Sequence, residues 1–295
     1  MSGITLPKRD NSARREMWAR AFYRFRQSLL SVVGLTLVLA LIVIALLAPW
    51  IVPYPEHVAG ATDTAARFIA PGREYWFGTN ALGQDMFSLV VAGSRVSLFS
   101  GLAVVAIAIV VGGMVGAVAG YFGGWVDDVL MRVTEAFQTI PSFVLLLVLV
   151  AIFGSTIQTI VVAIGVVSWT APARMVRAEF MSLRAREFVD AARNLGVSHP
   201  SLIFREILPN ALPPVIVFAS VVMATSILME SALAFLSLGD PNYASWGNII
   251  GQGRAVLRTD PHCTVIPGIA ILLTVLSFSL MGEGLNDVLN PRQKQ

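Results

Sequence analysis

Charge is scarce in this chain of 295 residues: 13% are Asp, Glu, Lys or Arg, against about 25% in a soluble domain. Cysteine is scarcer still. Cys263 stands alone, which excludes an intrachain disulfide and a cysteine zinc cluster. The three histidines, His57, His199 and His262, are far apart, and none has a metal-ligand spacing. No phosphate loop of the form G-x-x-x-x-G-K-[ST] occurs, so the chain is not itself an ATPase. It also lacks a Gly-x-Ser-x-Gly turn and a carboxylate pair within one apolar segment, which argues against a membrane-embedded enzyme. No basic stripe interleaves with aromatics, so nucleic acid is not an expected partner. No internal repeat is evident, unlike many secondary transporters.

Apolar residues are abundant, at 56% with a mean hydropathy of +0.72. A helix needs roughly 20 apolar residues to cross a bilayer core of about 30 Å. Six segments qualify: 29–52, 96–119, 136–154, 156–175, 213–236 and 264–285. Gln158, Ser168 and Thr170 interrupt the fourth. The first follows a basic run, but is too long for a signal-peptide core, so an uncleaved span is expected. The resulting fold class is an all-α membrane protein of six transmembrane helices. With the N-terminus inside, 16 of the 21 Lys/Arg fall on the cytoplasmic side. Arg67, Arg73, Arg95, Arg254 and Arg258 fall outside. This bias predicts an N-in, C-in topology. The expected divisions are a basic tail (1–28), a first helix (29–52), an external segment (53–95), a five-helix core (96–290) with a cytoplasmic loop (176–212), and a C-terminal tail (291–295).

The loop between spans four and five is the most informative stretch. Phe188, Ala192 and Leu195 recur at helical spacing. Gly196 suits a left-handed C-terminal cap. Ser198 can start a second helix, with Pro200 tolerated in its first turn. Ile203 and Ile207 continue a helical face, and Pro209 is expected to end the element at Leu208. A helix, a glycine turn and a second helix would project from the membrane. Small residues at Ala191 and Ala192 allow close approach by a soluble partner. The alternative is an amphipathic loop lying on lipid headgroups.

Here the sequence resembles a known family. Asp190, Ala191, Ala192 and Gly196, followed by Ile207, Leu208 and Pro209, are similar to the EAA loop of ABC importer permeases. Asp190 stands where the family has Glu, and Glu206 where it more usually has isoleucine. The likeness spans roughly 77–292. Phe77-Gly78-Thr79-Asn80, Leu82-Gly83-Gln84-Asp85, Gly93-Ser94-Arg95-Val96-Ser97-Leu98, Ile140-Pro141-Ser142 and Ser245-Trp246-Gly247-Asn248 resemble the dipeptide/oligopeptide/nickel group, in particular its second permease subunit. So do Gly120-Tyr121-Phe122-Gly123-Gly124-Trp125-Val126-Asp127 and the stretch from Gly282 through Gly284, Leu285, Asp287 and Leu289 to Pro291 and Arg292.

The resemblance implies a type I importer permease fold in the bacterial inner membrane, with no cofactor. It implies three protein partners besides lipid: a homologous permease subunit, cytoplasmic ATPase subunits and an extracytoplasmic solute-binding protein. The coupling residues would be Glu187, Asp190, Ala191, Ala192, Gly196, Ile207, Leu208 and Pro209. A di- or oligopeptide is the expected cargo, with nickel complexes or glycosides as alternatives within the class. An ion-coupled secondary transporter is the alternative from another class, but it would need several charges at depth. Only Glu230 is expected there. Such a carboxylate costs at least about 2.5 kcal/mol on insertion scales and so must face protein or water. It would line the translocation path or serve as a structural hydrogen-bond partner. Asp127 and Asp128 are expected to be solvated. Gly112 and Gly116 form a small-xxx-small pair for close helix packing.

Overall fold

The computed structural model describes residues 28–289. The basic run before them and the tail after them lie outside the described residues. Among the described residues there is no β-strand, only an isolated bridge between Thr79 and Asp85.

Helix α1 (Leu29–Ile51) begins at Ser28, whose hydroxyl accepts from the Ser31 amide. A folded cap follows, with the short helix α2 (Pro55–Val58) and a 3₁₀ turn at Thr64–Ala66. Its loop is built on polar side chains. Asn80 Oδ1 accepts from the Leu82 and Gln84 amides, both at 2.9 Å. Gln84 in turn donates to the carbonyls of His57 and Ala61. Asp85 then caps α3 (Met86–Phe122), accepting from Ser88 N at 2.8 Å and Ser88 Oγ at 2.6 Å. That cap explains why α3 starts ten residues before the apolar segment does. Arg95 bounds the hydropathy without interrupting the helix.

The third apolar segment is not one straight helix. An amphipathic helix α4 (Gly124–Thr139) meets α5 (Ser142–Phe153) at an angle of 82°. Pro141 stands at the break, where its missing N–H and fixed φ favour a new helix start. The 12 residues of α5 reach only about 18 Å, short of a bilayer core of about 30 Å, so this segment is a pair of helices broken at Pro141 and not a straight span. The fourth segment is bent too: α6 (Ile157–Ser168) and α7 (Thr170–Arg184) meet at 42° beside Trp169, and α7 continues nine residues past Met175. A short helix α8 (Glu187–Asn194) follows.

The expectation that Pro209 ends an element is wrong. A single helical rod runs from His199 to Phe235. It starts as α9 (His199–Ser201), widens to π geometry over Leu202–Ile207, and continues as α10 (Leu208–Phe235). The Leu208 amide donates five residues back, to Ile203. This wider turn relieves the clash between a proline ring and the carbonyl four residues earlier.

Beyond α10 the chain folds back. Helix α11 (Trp246–Gly253) inserts against α10, α3 and α12 (His262–Leu289). The Trp246 indole donates to Val90 O at 2.8 Å, and its amide to Ser97 Oγ at 3.2 Å. We call the end carrying residues 53–85 and 237–261 the cap end, and the other the helix-pair end.

Helix association in lipid relies on close packing and not on a hydrophobic drive between helices. The main seam is α3 on α7. A Cβ added at Gly112, Gly116 or Gly120 would lie closer than 3.0 Å to the carbonyl of Trp169, Ala173 or Arg177 respectively. The anticipated pair thus extends by one turn, through Gly120. Gly113 faces nothing within 4 Å.

Candidate functional site

At the helix-pair end, α8 and α9 meet through a Schellman turn. The Gly196 amide donates to Arg193 O at 3.0 Å, and the Val197 amide to Ala192 O at 3.2 Å. Gly196 has φ +79°, the left-handed conformation that this closure requires. Glu187 and Asp190 sit in the first turn of α8, where negative charge complements the helix dipole. Asp190 also lies 3.2 Å from Arg193.

The pair is anchored from one side only. Val189, Leu202, Ile207 and Ala211 are fully buried and pack with Tyr121, Val176 and Phe180. His199 Nδ1 lies 2.6 Å from the Tyr121 hydroxyl, and Arg184 donates to the Tyr121 carbonyl at 2.6 Å. The first contact ties the start of α9 to the end of α3, and the second ties the end of α7 to it.

The outward face is apolar and open. Leu195 is 85% exposed, Phe204 65% and Phe188 42%, with Asp190 and Ala191 exposed between them. Of the residues singled out in the sequence, Glu187, Asp190, Ala191, Gly196 and Pro209 are exposed, Ala192 and Leu208 are half-buried, and Ile207 belongs to the core. The helical recurrence of Phe188 and Leu195 therefore marks an outward stripe; the inward anchor is Val189. Phe204 escaped sequence reasoning, because a lone Phe on a helix gives no sign of which way it faces.

Glu230 lies elsewhere. It is buried in α10, five residues from its Phe235 end and therefore about 8 Å below the cap end. One carboxylate oxygen accepts from Ser245 Oγ at 2.6 Å, and Ser245 caps α11 by accepting from the Asn248 amide. The other oxygen faces Gly247 and has no hydrogen-bond partner among the described residues. The carboxylate thus points at the N-terminus of α11, where the helix dipole favours it.

Asp127 is not solvated as expected. It is buried and takes two hydrogen bonds from the Arg177 guanidinium. Asp128 is exposed.

Comparison with known proteins agrees with this architecture. Residues 108–295 match the family described as binding-protein-dependent transport system inner membrane component. Residues 16–71 match the N-terminal TM domain of oligopeptide transport permease C. The dipeptide transport system permease protein DppC of Alkalihalophilus pseudofirmus is 36% identical, covering 98% of this chain and 94% of its own. The glutathione transport system permease protein GsiD of Pectobacterium atrosepticum is 34% identical, covering 98% and 96%. Among solved structures, an inward-facing MetNI methionine ABC transporter matches with a TM-score of 0.57 at 19% identity, covering 69% of this chain and 97% of that one. An amino acid ABC transporter matches with a TM-score of 0.52 at 18% identity, covering 67% and 92%. These two likenesses show the fold: the type I importer permease arrangement of helices. The chain belongs to the ABC importer permeases of the dipeptide/oligopeptide/nickel family, which are inner membrane components of binding-protein-dependent transport systems.

Proposed function

We propose that this permease imports a di- or oligopeptide, and that it does so as one half of a heterodimer with a homologous permease subunit. A solute-binding protein delivers cargo to the cap end, which faces outward. ATPase subunits dock at the helix-pair end, which faces the cytoplasm, and supply the hydrolysis; the chain itself catalyses nothing. The peptide assignment is supported by the dipeptide and glutathione permeases that resemble the chain over nearly its whole length.

One observation carries the coupling role. The α8–Gly196–α9 pair is fastened by its inner face while Phe188, Leu195 and Phe204 stay uncovered, and α9 is continuous with α10 up to Phe235. A partner gripping the pair would therefore move a 37-residue rod that reaches the cap end. Glu187, Asp190 and Ala191 lie on or beside the gripping surface, whereas Ile207, Leu208 and Pro209 join the pair to the rod. We assign Glu230 a structural role, fixing α11 through Ser245.

The test is co-purification of the ATPase subunits with the permease from membranes. Ala191→Arg and Leu195→Asp should abolish retention of the ATPase while membrane abundance stays unchanged. Undiminished retention by both variants would favour a helix pair lying on lipid headgroups instead.

A further inference from the structure

Beside α1 the bundle leaves an apolar groove of about 740 Å³, within the range of about 300–1,000 Å³ that small-molecule sites occupy. It runs between the Ile51 half of α1, the first turns of α3 and the start of α6. Ile42, Leu46, Phe99, Leu102 and Val161 form its apolar wall, and Phe99 is 76% exposed. Arg95, Gln158 and Tyr243 line its cap end, all three exposed. The Ile157 amide donates to Asp240 at 2.9 Å, which brings Gln158 and Tyr243 to the same place. Arg95 has no hydrogen bond or ion pair among the described residues, and none of the described residues lining the groove is acidic.

The length of α1 fixes the depth. Its 23 residues span about 34 Å, scarcely more than a bilayer core of about 30 Å. Leu46 and Ile42 precede Ile51 by five and nine residues, and so lie about 8 and 14 Å inside the hydrocarbon boundary. Arg95 lies near that boundary. The Tyr54 amide donates to Ser88 Oγ at 3.2 Å, which sets Ser88 level with the chain just beyond α1. Seven residues on, Arg95 has descended about 10 Å along α3, to about the level at which α1 ends. Phe99 and Leu102 lie deeper on α3, alongside Leu46 and Ile42.

A guanidinium at this level needs water or an anion, and its apolar stem lets it snorkel to the headgroups. Its planar fork takes a phosphate bidentately. Below it, the Ser100 hydroxyl is already bonded to Val96 O at 2.7 Å, and the rest of the wall is apolar, so an alkyl chain fits. A transmembrane helix fits less well. Helix contacts in lipid rely on small residues, whereas this wall carries Ile, Leu and Phe; a flexible chain follows such an irregular surface. A zwitterionic headgroup would also bring an ammonium to Arg95, with no carboxylate lining the groove to receive it. An anionic one such as phosphatidylglycerol brings a phosphate and hydroxyls, which Arg95, Gln158 and Tyr243 can all bond.

We propose that this groove is a binding site for one anionic phospholipid of the cap-end leaflet, with an acyl chain held between α1, α3 and α6 and the phosphate on Arg95.

The test is photo-crosslinking of the whole transporter in vesicles of equal phosphatidylglycerol and phosphatidylethanolamine with matched acyl chains. The photoreactive p-benzoylphenylalanine replaces Phe99 in the groove or, as control, Val43, which is exposed on α1 at the same level but outside the groove. Mass spectrometry reads the adducts. At position 99, phosphatidylglycerol adducts should exceed phosphatidylethanolamine adducts at least threefold, and the ratio should fall to less than half with Arg95→Gln. At position 43 it should be less than half of that at 99. A ratio below threefold at 99, or one that the Arg95 substitution or the move to 43 leaves above half, would overturn the site and leave only bulk lipid. Adducts at 99 mainly with another protein subunit would overturn it in favour of a subunit interface. Should Arg95→Gln fail to accumulate, the comparison of 99 with 43 decides alone. The adducts form whatever the cargo, so a failure of peptide uptake would leave this result unaltered.

Discussion

Replacing Gly196 isolates the coupling turn from everything else in the fold. A Cβ at this position would meet no described atom within 4 Å, so the first atom of a new side chain is not blocked by packing. Its cost is conformational. The residue holds φ +79°, and an L-residue there is strained by roughly 1–2 kcal/mol, with β-branched side chains at the upper end or beyond. The closed turn is held by its two Schellman hydrogen bonds, each contributing about 1 kcal/mol net. Valine strain of about 2 kcal/mol therefore cancels their combined effect, and an equilibrium shifted by that amount changes roughly 30-fold. Alanine should shift it about fivefold, and asparagine least, since its side chain tolerates the left-handed region. The expected order is Gly, Asn, Ala, Val, both for ATPase retained by the purified permease and for uptake. Membrane abundance should stay level across the series, because the spans do not contain this residue. Uptake by Gly196→Val equal to that of the unmutated chain, at equal abundance, would refute the reasoning, since the turn would then carry no coupling.

Gly116→Leu should drive a side chain into the Ala173 carbonyl, costing about 1–3 kcal/mol or more. It should strongly reduce accumulation in the membrane, whereas Gly113→Leu, facing open space, should accumulate normally; immunoblotting of membranes reads both. Asp127→Ala should leave the Arg177 guanidinium without its partner. A fully buried pair would lose 3–5 kcal/mol, but one third of the Arg177 side chain is exposed, so about 2 kcal/mol is expected, read as a lower thermal midpoint in detergent. An unchanged midpoint would contradict the pairing. For topology, cysteines at Thr62 and Asn242 should react with impermeant thiol reagents in intact cells, and one at Ser198 only in inside-out vesicles. External labelling at 198 would reverse the orientation.

The sequence by itself determined which segments enter the membrane, because the cost of placing charge or unpaired backbone in hydrocarbon leaves only long apolar helices. It also determined the local chemistry of the helix pair. The left-handed turn at Gly196 and the helix start at Ser198 depend on backbone sterics within a few residues, so they are readable from those residues alone. The tertiary structure decided what depends on how helices cross. Asp127 finds its counter-charge 50 positions away at Arg177, and Glu230 finds Ser245 across the fold-back of α11. Whether Phe188, Leu195 and Phe204 point outward and Val189 inward is set by the angle at which the pair docks on α3 and α7, which helical periodicity does not encode. The same holds for the rod from His199 to Phe235. Local rules stop a helix before Pro209, but buried Leu202, Ile207 and Ala211 hold the segment against its neighbours, and a π turn absorbs the ring. Local propensity amounts to about 3 kcal/mol at a proline; the packing of three fully buried side chains exceeds it, and so the fold, not the residue, decides that the helix runs on through Pro209.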